Sequence, residues 1–454
     1  MPLTASATLP GAKSAREATS SLAGVSVGIV AIFVILGAAL NAGEAGQGFM
    51  NLAAAAAGRL RGGAAKVSVV SSALFGSLSG SASANVASTG TVTLPAMTRL
   101  GYPPALAGAV EAVAYSGGQI MPPLMGAGAF VMVELTGTPY TAIMAAAMLP
   151  ALLYFVAVWF GIDGFCTRHA LPPLPADERP TAARVVLTSL FFAVPFGTLL
   201  LVMFALGKTP QYAACLAIAA AVALLFVDAE GRVAWRTTRA RLATLCLQSG
   251  RQIAVIASII VCASIVVGVL GATGLGVKTT SMILSLSGGM LWPALGLTAL
   301  ACLILGMEVP TTAAYVVCVS VAGPALAELG LAPLEAHLFV FWFALLSTIT
   351  PPVCGAVFIA AGMAGANWLR VALHAMALGV GLYLIPLAMV VNPALLALAG
   401  RPLVAVATAV QVGLGLALAL VSLAVIRPRG APQRLLAGLA GLLVLYGRAF
   451  PGVT

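Results

Sequence analysis

The feature that most constrains this chain is a series of long apolar runs, each close to the length that crosses a bilayer. A membrane-spanning helix needs about 20 apolar residues. Runs of that order lie at 21–42, 103–135, 139–163, 186–206, 210–228, 252–272, 334–365, 369–392 and 402–425, with a shorter one at 435–449. Hydrophobic residues make up 61% of the 454, and charged residues only 7%. A soluble domain carries about 25% charged residues, so this chain lacks the polar surface to coat its core in water. It reads as an all-α polytopic membrane protein. The net charge of +10 does not call for nucleic acid, because the basic residues cluster in short loops, as membrane topology requires. The seven cysteines lie mostly within apolar runs, without C-x-x-C spacing, and read as small buried hydrophobes. Residues 1–20 form a tail with Lys13, Arg16 and Glu17 and without a short hydrophobic core and cleavage site, so no signal peptide is expected.

Two further apolar stretches are interrupted at their middle by small polar residues. The first, 66–98, breaks at SGSASAN (Ser79 to Asn85); the second, 288–325, breaks at GMEVPTT (Gly306 to Thr312). Each half looks too short to cross, which predicts two re-entrant helical hairpins with tips at mid-membrane. Loop charges agree. If both hairpins return to the side they entered from, 16 of the 22 Lys and Arg fall on one side. They include Arg59, Arg61, Lys66, Arg99, the loop at 168–185 and the arginines of 232–251. The positive-inside bias makes that side cytoplasmic.

Sliding the sequence by 229 residues reveals an internal repeat. Pro95, Leu100, Gly101, Pro104, Ile120, Pro122, Pro123, Gly126 and Ala127 fall on Pro324, Leu329, Gly330, Pro333, Ile349, Pro351, Pro352, Gly355 and Ala356. Both Pro-Pro pairs, each followed by x-x-Gly-Ala, sit at one offset. Two adjacent prolines remove two backbone donors and clash with the preceding turn, so 103–135 and 334–365 are expected to be broken helices. The topology makes the two copies cross in opposite directions. Unpaired backbone in hydrocarbon costs several kcal/mol per group, so irregular backbone survives there only where it lines a cavity or meets a ligand. Inverted repeats of hairpins and broken helices mark many secondary transporters, with the site near the midplane. Freed carbonyls suit a small hard cation such as sodium, and half-helix N-termini suit a carboxylate.

The candidate residues follow. In the first hairpin they are Ser79, Gly80, Ser81, Asn85 and Thr89. The first break carries Gly117, Gly118, Gln119, Pro122 and Gly126. The second hairpin carries Gly306, Glu308, Pro310, Thr311 and Thr312, and the second break Ser347, Thr350, Pro351 and Gly355. Sodium would be held by backbone carbonyls with Asn85, Thr311 and Thr350. Close packing of small residues competes as an account of the hairpin tips, and a plain kink as an account of each break. Ionisable residues at membrane depth are functional suspects. Glu308, at a tip, is the foremost. Glu111 reads as a hydrogen-bonding group that holds domains in register, while Glu134, Glu335 and His337 lie nearer helix ends, the last two expected to be wet.

Two stretches, ALFGSLSGSASANVASTG (Ala73 to Gly90) and GYPPALAGAVEAVAYSGGQIMPPLMGAGAF (Gly101 to Phe130), resemble the large membrane subunit of tripartite ATP-independent periplasmic (TRAP) transporters. The closest likeness is to fused permeases that work with TAXI-type binding proteins. GMEVPTTAAY (Gly306 to Tyr315) and AHLFVFWFALLSTITPPVCGAVFIAAGMAG (Ala336 to Gly365) agree. The resemblance implies a sodium-driven importer of small organic acids in the bacterial inner membrane, supplied by a periplasmic binding protein. It implies an elevator-type motion of a transport domain against a scaffold, with sodium as the coupling ion and no other cofactor. The implied transport domain is 66–135 with 288–365; 21–65, 136–287 and 366–454 form scaffold and connecting arm. Fused members carry a small-subunit-like region ahead of this part, whereas here one helix (21–42) precedes the first hairpin. A separately encoded small membrane subunit is therefore an expected partner, and a chain that does not transport alone is the alternative function.

Enzyme readings fit poorly. Only His169, His337 and His374 exist, none beside a nucleophile motif, and paired intramembrane Asp or clustered His are lacking. Discontinuous inverted repeats also suit alternating access better than a channel.

Overall fold

The computed structural model describes residues 30–79, 82–123, 125–228, 231–233, 235–307, 309–423, 425 and 430–447; at 77–79, 82–88, 127, 236 and 263 it describes backbone alone. Among these residues the chain is helical apart from one antiparallel bridge, Val227 to Val233. Six helices are long and apolar enough to cross a membrane: Tyr140–Arg168, Ala182–Ala205, Thr237–Thr273, Thr311–Glu328, Trp368–Val391 and Pro402–Ser422.

Helices α1 (Ala31–Ala42) and α2 (Ala45–Ala57) lead into α3 (Gly63–Ser79) and α4 (Ala82–Arg99). Then come α5 (Pro104–Gly118), the irregular segment 119–125, and α6 (Gly126–Thr136). Helices α7 (Tyr140–Arg168), α8 (Ala182–Leu200, continued by a π turn to Ala205), α9 (Pro210–Leu224) and α10 (Trp235–Thr273) follow. The second half holds α11 (Leu275–Ser287), α12 (Leu291–Leu305), α13 (Thr311–Glu328), α14 (Pro333–Leu346), the irregular segment 347–354, and α15 (Gly355–Ala364). It ends with α16 (Trp368–Leu378), α17 (Gly381–Val391), α18 (Pro402–Ser422) and α19 (Ala431–Tyr446).

Local chemistry sets many of these ends. Proline starts α5, α9, α14 and α18, where its missing N–H costs nothing and its fixed φ suits the first turn. Thr209 and Asn367 cap α9 and α16 through side-chain oxygens that accept backbone N–H groups. The Pro-Pro pairs end α5 and α14 as expected. Both bonds, Pro122–Pro123 and Pro351–Pro352, are cis.

The helix bounds recur along the chain. Both ends of α4 and α13 differ by 229 positions; α5 and α14 begin 229 apart, as do α6 and α15, and α2 and α11 correspond within one residue of that spacing. The elements also interlock reciprocally. Helix α15 packs against α4 and α5, while α6 packs against α13 and α14. The helix after each Pro-Pro interruption thus packs against helices from the opposite half of the chain. The largest fully buried side chains, Trp342, Tyr115, Tyr154 and Tyr315, fill the middle of this assembly.

Three expectations change. At about 1.5 Å per residue, the 18-residue α13 reaches about 27 Å, so this hairpin arm is not short for a bilayer core of about 30 Å. The run 369–392 is long enough to span, as expected, from Trp368 to Val391, but it is interrupted at Gly379 and Val380, where α16 gives way to α17. The arginine-rich 235–251 arm and the following span are one continuous helix, α10. Its Arg241 is more than a topology signal: it pairs with Glu44 at 2.5 Å and donates to the carbonyls of Leu225 and Val227 at 3.2 and 2.6 Å. These contacts serve carbonyls at the C-terminal end of α9, which a helix end leaves without internal partners.

Candidate functional site

The two irregular segments and the start of α13 meet in the protein interior. Gln119, almost fully buried, follows α5 directly. Its Oε1 accepts from the Thr311 hydroxyl at 2.5 Å, across 192 residues of sequence. Its Nε2 is buried without a partner among the described residues. One turn earlier, Ser116 Oγ lies 3.1 Å from Thr348 Oγ1, so the two breaks touch each other through hydroxyls. Thr311 and Thr312 are the first two residues of α13, and both are buried. A helix start exposes backbone N–H groups and the positive end of the dipole.

The second break is tied to its own hairpin. Ser347 Oγ donates toward the carbonyls of Gly306 and Ala344, at 2.9 and 2.7 Å. A Cβ on Gly306 would come within 2.7 Å of that Ser347 oxygen, so only glycine fits. Thr350 donates to the Leu346 carbonyl at 2.8 Å and sits 2.8 Å from the Tyr383 hydroxyl on α17. Matching bonds close both breaks: the Ile120 N–H to the Gly117 carbonyl, and the Ile349 N–H to the Leu346 carbonyl.

The first break is packed by absence of side chains. Gly118 lies against α3, where a Cβ would stand 2.6 Å from Gly76 Cα and 2.7 Å from the Ser72 carbonyl; at Gly117 it would overlap the Tyr154 ring. Pro122 is buried, the Tyr140 hydroxyl donates to the Pro123 carbonyl, and Gly126 opens α6 at φ +62°. Pro310 is the residue before α13, Pro351 lies within the second irregular segment, and Gly355 begins α15 after it.

Gly80, Ser81 and Glu308 lie outside the described residues, as do the side chains of Ser79 and Asn85. Thr89 is placed, and it points to Glu111. That carboxyl, with 0% exposure, gathers hydroxyls from both arms of the first hairpin. Oε2 accepts from Ser68 and Thr93 at 2.7 and 2.8 Å, and Oε1 accepts from Thr89 at 3.1 Å. Glu111 therefore ties α3 and α4 to α5. The hydrogen bonding expected of Glu111 is present, but it joins helices of one unit, 66–135, and not two domains; the hydroxyl partners Ser68 and Thr93 carried no signal of their own. Glu335 caps its own helix by accepting from the Ala332 N–H at 3.3 Å. His337 is less wet than expected, because it is half-buried with Nδ1 2.6 Å from the Tyr315 hydroxyl. Glu134 is exposed near the end of α6.

Sequence reasoning placed no arginine at a hairpin tip. The fold brings three together elsewhere. A cleft of about 480 Å³ opens between α2, the first hairpin, the segment 174–180 and the start of α8, with Arg99, Arg179 and Arg184 in its wall beside Asn51, Thr89 and Thr93. Arg99 pairs with Glu178 at 3.0 Å, and Arg179 donates to the Leu174 carbonyl at 2.8 Å. The cleft reaches the hydroxyls that hold Glu111 and has the size of a small-molecule site.

Comparison with known proteins agrees with this architecture. A family model described as "Tripartite ATP-independent periplasmic transporter, DctM component" matches residues 6–404. The uncharacterized protein YgiK of Salmonella typhimurium is 25% identical over 354 residues, covering 76% of this chain and 77% of its own. The C4-dicarboxylate TRAP transporter large permease protein DctM of Pseudomonas aeruginosa is 26% identical over 343 residues, covering 74% and 77%. The ectoine TRAP transporter large permease protein TeaC of Halomonas elongata is 27% identical over 172 residues, covering 36% and 39%. The matched span, the six long apolar helices and the relatives together place the chain, as a transporter permease and not an enzyme, among the multi-pass proteins of the bacterial inner membrane: it belongs to the DctM family of TRAP transporter large permeases.

Proposed function

We propose that this chain carries a small organic acid across the membrane by sodium-coupled secondary import. The observation that carries the reading is the meeting of two interrupted helices and a helix start in the buried core, joined by the Gln119–Thr311 and Ser116–Thr348 contacts. Interrupted helices at membrane depth supply what a hydrocarbon interior otherwise lacks, namely unpaired carbonyls for a cation and N–H groups for an anion. The half-satisfied Gln119 amide and the Thr311 and Thr350 hydroxyls are the side chains we assign to sodium and substrate, with Asn85 from the first hairpin tip.

The recurrence of helix bounds at 229 residues and the reciprocal packing of α6 and α15 support an inverted repeat with two re-entrant hairpins. In that reading α3–α6 and α12–α15 move as one body, elevator-like, against the remaining helices. The cleft beside Thr89 and Thr93 is then the cytoplasmic exit, and its arginines suit an anionic cargo. The relatives' names, which specify C4-dicarboxylate, isethionate and ectoine, support a small organic solute without choosing among acids. We assign delivery to a periplasmic binding protein of TAXI type. That two of these relatives are large permease proteins favours a companion reading, that the chain needs a separate small membrane subunit to transport.

The test is uptake into proteoliposomes with the cognate binding protein, with and without the small subunit. Uptake should require an inward sodium gradient. Equal uptake with potassium in place of sodium would refute the coupling. Asn85→Ala should lower sodium affinity more than folded yield; unchanged sodium dependence would remove Asn85 from the site.

A further inference from the structure

A second polar feature lies on the outer surface. Where the turn 58–62 meets the end of α7, a groove of about 560 Å³ is lined by Leu60, Arg61, Lys66, Phe160, Asp163 and Thr167. Its mount is tight, because Gly62 sits at φ +67° and a Cβ there would overlap the Cys166 sulfur. Lys66, almost fully buried, pairs with Asp163 at 2.5 Å and lies 4.9 Å from the centre of the Trp159 ring. Those two charges cancel. Arg61 is exposed and donates one N–H to Thr167 Oγ1 at 3.2 Å, leaving the groove one net positive charge.

An apolar track leads to that charge. Leu152, Val156 and Phe160 are 41%, 47% and 50% exposed and stand four residues apart, so they share one face of α7. The next position on the face is Gly164, which projects no side chain and leaves room beside Arg61. An apolar stripe ending at a gap and an unbalanced cation has the polarity of a phospholipid in its leaflet. Basic pockets between membrane helices suit anionic headgroups, and each basic residue near the surface contributes about 1 kcal/mol toward them.

We propose that this groove binds an anionic phospholipid, with the phosphodiester on Arg61 beside Thr167 and an acyl chain along Leu152, Val156 and Phe160. One negative charge matches the one unbalanced cation. A zwitterionic lipid would add a cation that finds no free acid, because Asp163 is already paired with Lys66.

Trp159 reports on the groove. The full-length chain would be reconstituted in phosphatidylcholine nanodiscs containing either brominated phosphatidylglycerol or brominated phosphatidylcholine. The Trp159 signal is the difference between the unmodified chain and Trp159→Phe. Brominated phosphatidylglycerol should quench it with about fivefold higher apparent affinity. Arg61→Gln should bring that ratio to about one without moving the melting temperature in phosphatidylcholine, and Arg61→Lys should retain most of it. A ratio near one in the unmodified chain overturns the proposal, as does a ratio that survives Arg61→Gln. Trp159 shielded from every brominated lipid would assign the groove to a protein partner and overturn it equally.

Discussion

The two halves of the core share a geometry and differ in chemistry. Where the first half has Glu111, Ser68, Thr89 and Thr93, the positions 229 residues later hold Val340, Leu297, Cys318 and Ala322. One half ties its hairpin to its broken helix through a buried carboxyl and three hydroxyls. The other has apolar side chains at those four positions and joins α13 to α14 by packing with the Tyr315–His337 hydrogen bond beside it. The difference recurs one step along, at the crossing of the hairpin's first arm and the break. Gly118 meets the α3 backbone there, and its counterpart Ser347 instead bonds the Gly306 carbonyl. One backbone plan thus accepts either directional bonds or shape. Glu111 concentrates three directional bonds on one buried side chain, so that position should tolerate substitution less than Val340.

The largest effect should come from Glu111→Ala, which takes the acceptor from the buried Ser68 and Thr89 hydroxyls, at about 1–3 kcal/mol for each group left unpaired, while Thr93 keeps the Thr89 carbonyl. Thermal unfolding in detergent should show a loss of about 3 kcal/mol or more, with Glu111→Gln in between, since an amide keeps the shape but must turn a donor toward donors. Val340→Ala, its counterpart, should cost about 1–2 kcal/mol for the small cavity. Equal losses at the two positions would break the contrast drawn above.

Exchanging the crossing residues sharpens it. Gly118→Ser pushes a Cβ into backbone that cannot yield and should cost about 1–3 kcal/mol. The reverse swap, Ser347→Gly, removes one hydrogen bond and should cost about 1 kcal/mol. If Gly118→Ser melts like the parent, α3 and α5 are not in the contact described. A smaller effect belongs to the link between the halves. A double-mutant cycle on Gln119→Ala and Thr311→Val should return a coupling of about 1 kcal/mol, and strict additivity would separate the two side chains. The smallest belongs to the surface pair Arg99–Glu178, whose double-mutant coupling should stay below about 1 kcal/mol and fade as salt rises.

The breaks were legible because two adjacent prolines at one offset leave a helix no alternative. Pro122–Pro123 and Pro351–Pro352 indeed end α5 and α14. The pairing of hairpins was legible in outline, from small polar residues inside apolar runs. Other features were not. The interruption at Gly379 and Val380 has no proline to announce it, and α13 runs longer than its apolar stretch implied. Of the candidate residues, Gln119 and Thr311 bond each other, Ser347 bonds the Gly306 carbonyl, Thr350 lies against Tyr383, and Thr89 turns to Glu111. Ser116, Thr348 and Tyr383 went unnoticed, because isolated hydroxyls in apolar helices carry no local pattern.

From the sequence alone came the bilayer as solvent, the helical content and the places where helices stop. These follow from composition, proline and periodicity, which act over a few residues. Only the tertiary structure decided which helix lies against which: that Thr311 meets Gln119, that three arginines share a cleft, and that Arg61 stands at the end of an apolar track on α7. Such neighbours are chosen by side-chain shape and by the need of every buried polar group for a partner. Those conditions are met by residues far apart in the chain, 192 positions for Gln119 and Thr311, and leave no mark in any short window of it.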